Sequence, residues 1–132
     1  MTEFVWPVRV YYEDTDNGGV VYYANYLKFM ERARTEWLRA KGYEQDKLIT
    51  EDALIFAVRS AKLDFLQPAK FNDALEVSAL AVSHKAASIV FKQEVRRKEE
   101  VLCSGEVSIA CLSSDSLKPR RMPKAMIEEL MK

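Results

Sequence analysis

Residues 11–38 read YYEDTDNGGVVYYANYLKFMERARTEWL, and the order of residue types in this stretch decides the fold. From Tyr26 onward, Leu27, Met30, Ala33, Trp37 and Leu38 recur at the three-and-four spacing of one helical face, while Lys28, Glu31, Arg32, Thr35, Glu36 and Arg39 fill other positions. The spacing predicts an amphipathic helix of about sixteen residues, a rod of roughly 25 Å at 1.5 Å per residue. Asn25 stands where an N-cap would accept from a first-turn N–H, and Gly42 where a left-handed residue would end the helix. Directly before the helix comes VVYY, preceded by DTDNGG. A helix N-terminus carries unpaired N–H groups and the positive end of the helix dipole. An acidic turn is therefore delivered to a place that can polarise a carbonyl.

Working outward, residues 6–13 alternate, with Val8, Val10 and Tyr12 on one face and Arg9, Tyr11 and Glu13 on the other, which predicts a first strand. After Gly42 a polar connection runs through Ile49 to Ala53, with room for a short helical turn. Residues 56–65 alternate again, with Ala57, Ala61, Leu63 and Phe65 expected on the apolar face, until Pro68 stops the run. Leu75, Val77, Ala79 and Ala81 mark a third strand, and Ile89, Phe91 and Val95 a fourth. Val101, Cys103, Val107, Ile109 and Cys111 mark a long fifth strand with Gly105 in its middle. The linkers at 84–87 and 98–100 are too short for a parallel crossover, so the last three strands are antiparallel neighbours. One helix must then cover an antiparallel sheet of about five strands, an α+β architecture. Pro123 ahead of AMIEELMK predicts a short closing helix.

A chain of 132 residues with 48% hydrophobic and 30% charged residues is expected to form a single domain, 1–132, with a real core. Twenty basic residues against twenty acidic ones leave no net charge, which argues against nucleic acid as a partner. No apolar run is long enough for a membrane span, and residues 1–7 lack a signal peptide's basic-then-apolar form, so the expected compartment is cytoplasmic. Cys103 and Cys111 lie on one strand roughly 27 Å apart, too far to bridge each other, and are expected as buried thiols rather than a redox pair.

The run VYYEDTDNGGVVYYANYLKFMERARTEWL, with PAKFND between strands two and three and LKPRRMPK near the end, resembles the 4-hydroxybenzoyl-CoA thioesterase-like branch of the hotdog superfamily. More narrowly, it is similar to the small bacterial acyl-CoA thioesterases associated with the Tol-Pal system. The resemblance covers nearly the whole chain. It implies a hotdog fold, in which a long central helix is wrapped by the antiparallel sheet. It also implies hydrolysis of an acyl-CoA thioester, with acyl carrier protein as another possible acyl donor, in a homo-oligomer (dimer or tetramer) whose active site lies between subunits. No metal or cofactor is implied, because coenzyme A enters as part of the substrate.

The resemblance places the nucleophile or general base at Asp16, the oxyanion contact at the main-chain N–H of Tyr23, and a tyrosine near the carboxylate at Tyr12. For Tyr12 a core tyrosine with a satisfied hydroxyl is an equally good account. Gly18 and Gly19 supply the permissive backbone of the turn, and Val20 and Asn25 join the substrate-contacting set. Without the surrounding signature DTDNGG would be an ordinary strand-to-helix turn, and Asp14 is left to shape it. Coenzyme A carries phosphates, so cations are expected at the mouth: Lys118, Arg120 and Arg121, beside Lys124, form one compact cluster, and Lys85 with His84 a smaller one.

One departure stands out. The Tol-Pal-associated branch commonly has His where this chain has Tyr23, so an Asp–His pairing has no counterpart here, and the lone His84 is expected at the surface. Glu31 and Glu36 are expected to be structural, paired with Arg32, Arg34 or Arg39. A different class of function competes: a non-catalytic hotdog scaffold that recruits acyl carrier protein or phospholipid-synthesis enzymes at the inner membrane face would not need the Asp16 carboxylate. A hotdog dehydratase would need a histidine that this stretch lacks.

Overall fold

The computed structural model describes residues 2–132. Five strands, β1 (Phe4–Arg9), β2 (Leu54–Phe65), β3 (Ala74–Lys85), β4 (Ser88–Arg97) and β5 (Glu100–Ser113), form one sheet in the order β1-β3-β4-β5-β2. Every neighbouring pair is antiparallel. Three helices accompany the sheet: α1 (Asn25–Ala40), α2 (Gln45–Asp52) and α3 (Lys124–Leu130). The α+β expectation holds, and α1 is the rod that the spacing predicts, 16 residues long. It lies over β3, β1 and β4. Gly42, at φ +95°, donates to the carbonyl of Arg39 and ends the helix as expected. The polar connection after it contains α2, which stops at Ala53 in the left-handed region, φ 51°.

The buried arc of α1 comprises Tyr26, Phe29, Met30, Ala33, Trp37 and Leu38. Phe29 and Met30 are fully buried and Trp37 meets Phe91 of β4 edge-on at 5.1 Å between centroids, each such side chain worth about 1.5–3 kcal/mol of burial. Leu27, expected on the apolar face, is exposed. The arc turns toward β1 and β3, so position 29 faces the sheet and position 27 falls to the side of β2.

Two strands also differ from expectation. Val8 and Val10 face inward, but β1 ends at Arg9: Val10 donates to the Asp73 carbonyl at 3.0 Å and accepts from the Asn72 N–H at 2.9 Å. The Asp14 carboxylate then accepts from the Tyr11 N–H at 2.8 Å and the chain curls into a 3-10 turn, Tyr12–Asp14. Tyr12 leaves the core face altogether and is 81% exposed. In β2 the register shifts between Val58 and Ser60, so Val58, paired with Ile109, shares the inward face with Ala61, Leu63 and Phe65 in place of Ala57. Because α1 lies over β3, β1 and β4, the same face of β2 is left partly bare, with Val58 55% and Phe65 50% exposed.

A polar clasp crosses the core. Gln93 is buried, and its Nε2 donates to the carbonyls of Met30 at 3.0 Å and Ser78 at 3.1 Å, while its Oε1 accepts from Arg34 at 2.9 Å. Ser78 Oγ accepts from the Glu94 N–H at 2.9 Å, so side chains stand in where the β3–β4 ladder passes from Val77–Val95 to Leu80–Lys92. Cys103 and Cys111 are free and buried, and burial, with the Asp64 charge nearby, pushes the Cys103 thiol up to about 12. That thiol is unreactive at neutral pH.

Candidate active site

The acidic turn closes as a small hairpin. Thr15 and Val21 face each other across it, Asp16 N–H donates to the Val20 carbonyl at 2.9 Å and Gly19 N–H to the Asp16 carbonyl at 3.0 Å. Gly19 has φ +78°, a conformation that costs a residue with a Cβ. Gly18 donates its N–H to Asp16 Oδ1 at 2.8 Å, and a Cβ on Gly18 would stand 3.2 Å from that same oxygen. The two glycines thus serve separate ends, one the turn and one the approach of the carboxylate to the backbone. Asp16 Oδ2 accepts no hydrogen bond and no cation pairs with Asp16 among the described residues, so one oxygen is held and the other faces outward. Asp16, Tyr12, Gly19 and Phe71 line one open hollow of about 380 Å³. Tyr12, though not in the core, does stand beside the carboxylate.

Asp14 is buried and its carbonyl accepts from the Tyr22 N–H and from Asn25 Nδ2, both at 2.9 Å. It shapes the turn. Asn25 is accordingly not the N-cap: Ala24 holds that position, and Asn25, the first helical residue, uses its side chain to tie α1 to the acidic turn. The main-chain N–H groups of Tyr23 and Ala24 donate to no acceptor among the described residues, leaving two donors open at the start of α1. Tyr23 lines a second hollow, with Val21, Tyr26 and Phe65, separate from the one that Asp16 lines.

Residues 66–73 form the seat of the hairpin. Val21 N–H donates to the Ala69 carbonyl, Ala69 N–H to the Tyr26 hydroxyl at 3.0 Å, and Val20 bridges Lys70. The aromatic walls Phe65 and Phe71 were missed by sequence reasoning. Their signal was weak: two apolar aromatics flanking a proline loop, which alternation alone would bury in a strand end.

The expected cations do not join this site within one chain. Lys85, Lys118, Arg120 and Arg121 gather where Ser113 N–H meets the Lys118 carbonyl, Arg120 N–H the Cys111 carbonyl and Met122 N–H the Ala86 carbonyl. That is the Leu54 end of β2, whereas the hairpin sits at the Phe65 end, 12 residues or roughly 36 Å away. The Arg120 guanidinium donates through Nη1 to the carbonyls of Asp52 and Ala53 at the end of α2, so it is tied to this end of the molecule. His84 is exposed at that same far end. Glu36 pairs with Arg39 as expected, whereas Glu31 accepts from Thr35 and pairs with no arginine among the described residues.

A family model for the thioesterase-like superfamily matches residues 10–130. The chain belongs to the thioesterase-like superfamily. It is 43% identical over 129 residues to the acyl-CoA thioester hydrolase YbgC of Escherichia coli O6:H1, covering 97% of this chain and 96% of that one. It is 45% identical over 121 residues to the acyl-CoA thioesterase YbgC of Haemophilus influenzae, covering 92% and 89%. Among solved structures, a 1,4-dihydroxy-2-naphthoyl-CoA thioesterase from Synechocystis superposes with a TM-score of 0.89 at 23% identity, over 98% of this chain and 96% of that one, and shows the shared fold. The hotdog architecture expected from the opening signature is the one this superfamily member has.

Proposed function

We propose that the chain hydrolyses acyl-CoA thioesters with Asp16 as the reacting carboxylate. The observation that carries this reading is that the turn leading into α1 holds a half-free carboxylate, bonded through Oδ1 alone, and that two main-chain N–H donors stand open where the helix starts. Carbonyl attack builds negative charge on oxygen only in the transition state, and fixed donors at a helix N-terminus favour that charge without moving. Asp16 Oδ2 either bonds to the thioester carbon, expelling the coenzyme A thiolate and leaving an anhydride that water opens, or takes a proton from the attacking water. The open donor at Tyr23 needs only its main chain, so the loss of a histidine at this position leaves the oxyanion contact intact.

The same reading makes the enzyme a homo-oligomer. β2 is a sheet edge, hydrogen-bonded only to β5, and its inward apolar face is half bare. Such an edge is a template for another strand. A two-fold axis through the middle of β2 would pair it antiparallel with its copy and set the Leu54 end of one beside the Phe65 end of the other. The partner subunit's Lys118 and Arg121 would then reach the mouth of this subunit's site, which the same two residues of its own chain cannot do. No helix among the described residues is long and apolar enough to cross a membrane, and the free buried cysteines suit a cytoplasmic setting.

The test is a hydrolysis screen across short, long and aromatic acyl-CoAs, with acyl carrier protein thioesters as a second donor. Asp16→Asn retains the acceptor for Gly18 and loses the reactive charge, so kcat should fall by about 10² or more while the melting temperature holds. Full activity in Asp16→Asn, or none in the native chain, would return the protein to the scaffold class.

A further inference from the structure

A cleft between α1 and the inward face of β2 and a shallow hollow on the helix nearer its start share Glu31, and together they outline a groove that the site above does not use. On the helix side, Leu27, Glu31, Arg34, Thr35 and Leu38 fall at three-and-four spacing along one stripe. The stripe begins in the first turn, beside the open N–H groups, and Glu31 belongs both to the shallow hollow with Leu27 and Lys28 and to a cleft farther along. That cleft, about 130 Å³, is walled by Trp37, Phe56, Ile89, Phe91 and Ile109, and Arg34 lines it. Glu31, Thr35 and Gln45 supply the rest of its polar lining, and a half-buried guanidinium without an ion-pair partner is unusual there, because such a cation ordinarily finds a carboxylate. Arg34 has none within ion-pair distance among the described residues. Its hydrogen bond goes instead to the neutral amide of Gln93, itself buried and fixed to the Met30 and Ser78 carbonyls. Burial works against its charge, offset in part by the nearby Glu31 carboxylate. Glu31 is exposed at the rim and hydrogen-bonded to Thr35. The guanidinium is anchored at one N–H, with further donors available to the cleft.

We propose that this groove is the acyl track and that Arg34 selects acyl groups bearing a carboxylate at the end far from the thioester. The inference rests on the thioesterase reading and names a substrate class for it. Nine residues separate the start of α1 from Arg34, roughly 14 Å along the axis, and the side chain leans back toward the helix N-terminus. A chain of medium length fits the interval. Its methylenes cover Leu27 and Val58, and its carboxylate meets the fork of Arg34. Glu31 at the rim opposes the same carboxylate and tempers the preference.

The test uses matched thioesters, hexanoyl-CoA against adipoyl-CoA and octanoyl-CoA against suberoyl-CoA, and reads the ratio of kcat/KM for the carboxylated over the plain member, so that a general loss of activity cancels. A charge-assisted bond in a partly desolvated cleft predicts a ratio at least about tenfold lower in Arg34→Met than in the native chain. Arg34→Lys should recover part of it, and Glu31→Gln, at an exposed position, should raise it by roughly threefold. A ratio unmoved by Arg34→Met overturns the inference; should that variant fail to fold, a ratio unmoved by Glu31→Gln overturns it instead. Hydrolysis of none of the four thioesters by the native chain overturns this inference, and the parent reading falls with it only if the wider acyl-CoA screen is silent as well, whereas hydrolysis with an Arg34-independent ratio overturns this one alone.

Discussion

The two ends of β2 are built for different work. At the Phe65 end the chain exposes what a folded protein usually hides or pairs: the Asp16 carboxylate, two main-chain donors, and the rings of Tyr12, Tyr23, Phe65 and Phe71. At the Leu54 end Arg120 closes the end of α2, Met122 and the α3 residues Met126 and Leu130 are buried, and the remaining cations sit on a finished surface. The proposed reactive groups stand at one end, with Lys70 beside the hairpin as the nearby cation, and the Lys118–Arg121 cluster stands at the other. On the reading proposed above, each end holds part of an acyl-CoA site, and a two-fold operation on the edge strand would join them.

The sharpest way to break that comparison is to spoil the edge. Val58→Asp places a charge on the bare face of β2, and Ser60→Pro removes a donor from the strand. If the site is shared, either change should convert the oligomer to a species near 15 kDa in light scattering and lower kcat/KM by at least about tenfold. A monomer with native kinetics would show that one chain suffices.

The next effect separates the cations from each other. Lys118→Ala with Arg121→Ala should raise KM for acyl-CoA by roughly three- to tenfold with kcat little changed, since groups distant from the thioester contribute uniform binding. Arg120→Ala should act on stability instead, lowering the melting temperature by a few degrees through loss of two charge-assisted bonds, on the order of 1 kcal/mol at a half-exposed position. A KM effect confined to Arg120 would invert this division.

A smaller effect concerns the loop under the acidic hairpin. Burial works against the ionised form of Asp73, but the Lys70 N–H and the Arg97 guanidinium, at 2.8 Å, outweigh it and hold the carboxyl below its ordinary value. A depressed carboxyl contributes stability that is present above its unfolded value and is lost as pH falls through the folded one. Melting temperature should therefore drop as pH goes below about 4, and Asp73→Asn should remove part of that drop while costing stability at neutral pH. The smallest effect is that of Tyr23→Phe, which deletes a hydroxyl and leaves the donor, so kcat should change by less than roughly threefold. A loss like that of Asp16→Asn would give the phenol a role the main chain does not have.

Much of this was legible beforehand, and the failures have physical causes. The three-and-four spacing after Tyr26 located α1, and the residues expected inward in β3, β4 and β5 are buried, save Val101 at a register irregularity, because each of these strands is paired on both edges. Alternation failed at β2, where an edge strand tolerates a bulge, and at Tyr12, where the Asp14 carboxylate captured the Tyr11 N–H and turned the strand. Asn25 satisfied the residue preference of an N-cap but was drawn into a tertiary bond to Asp14. The reactive turn was readable because turn chemistry is local. The position of the cations was not, because two segments adjacent to a common signature can fold to opposite ends of one strand.

The clasp at Gln93 has a mechanical consequence. An apolar helix on an apolar sheet can slide sideways at little cost, since the dispersion attraction given up on one flank is regained on the other. A primary amide shared between the Met30 carbonyl of α1 and the Ser78 carbonyl of β3 cannot follow such a slide without stranding buried polar groups. Gln93 therefore acts as a stop, pinning α1 toward β3 and keeping it off β2. The width of the groove along β2 is thus governed by a hydrogen-bonded latch beneath the helix, and a change there would retune the channel while leaving every residue that faces it in place.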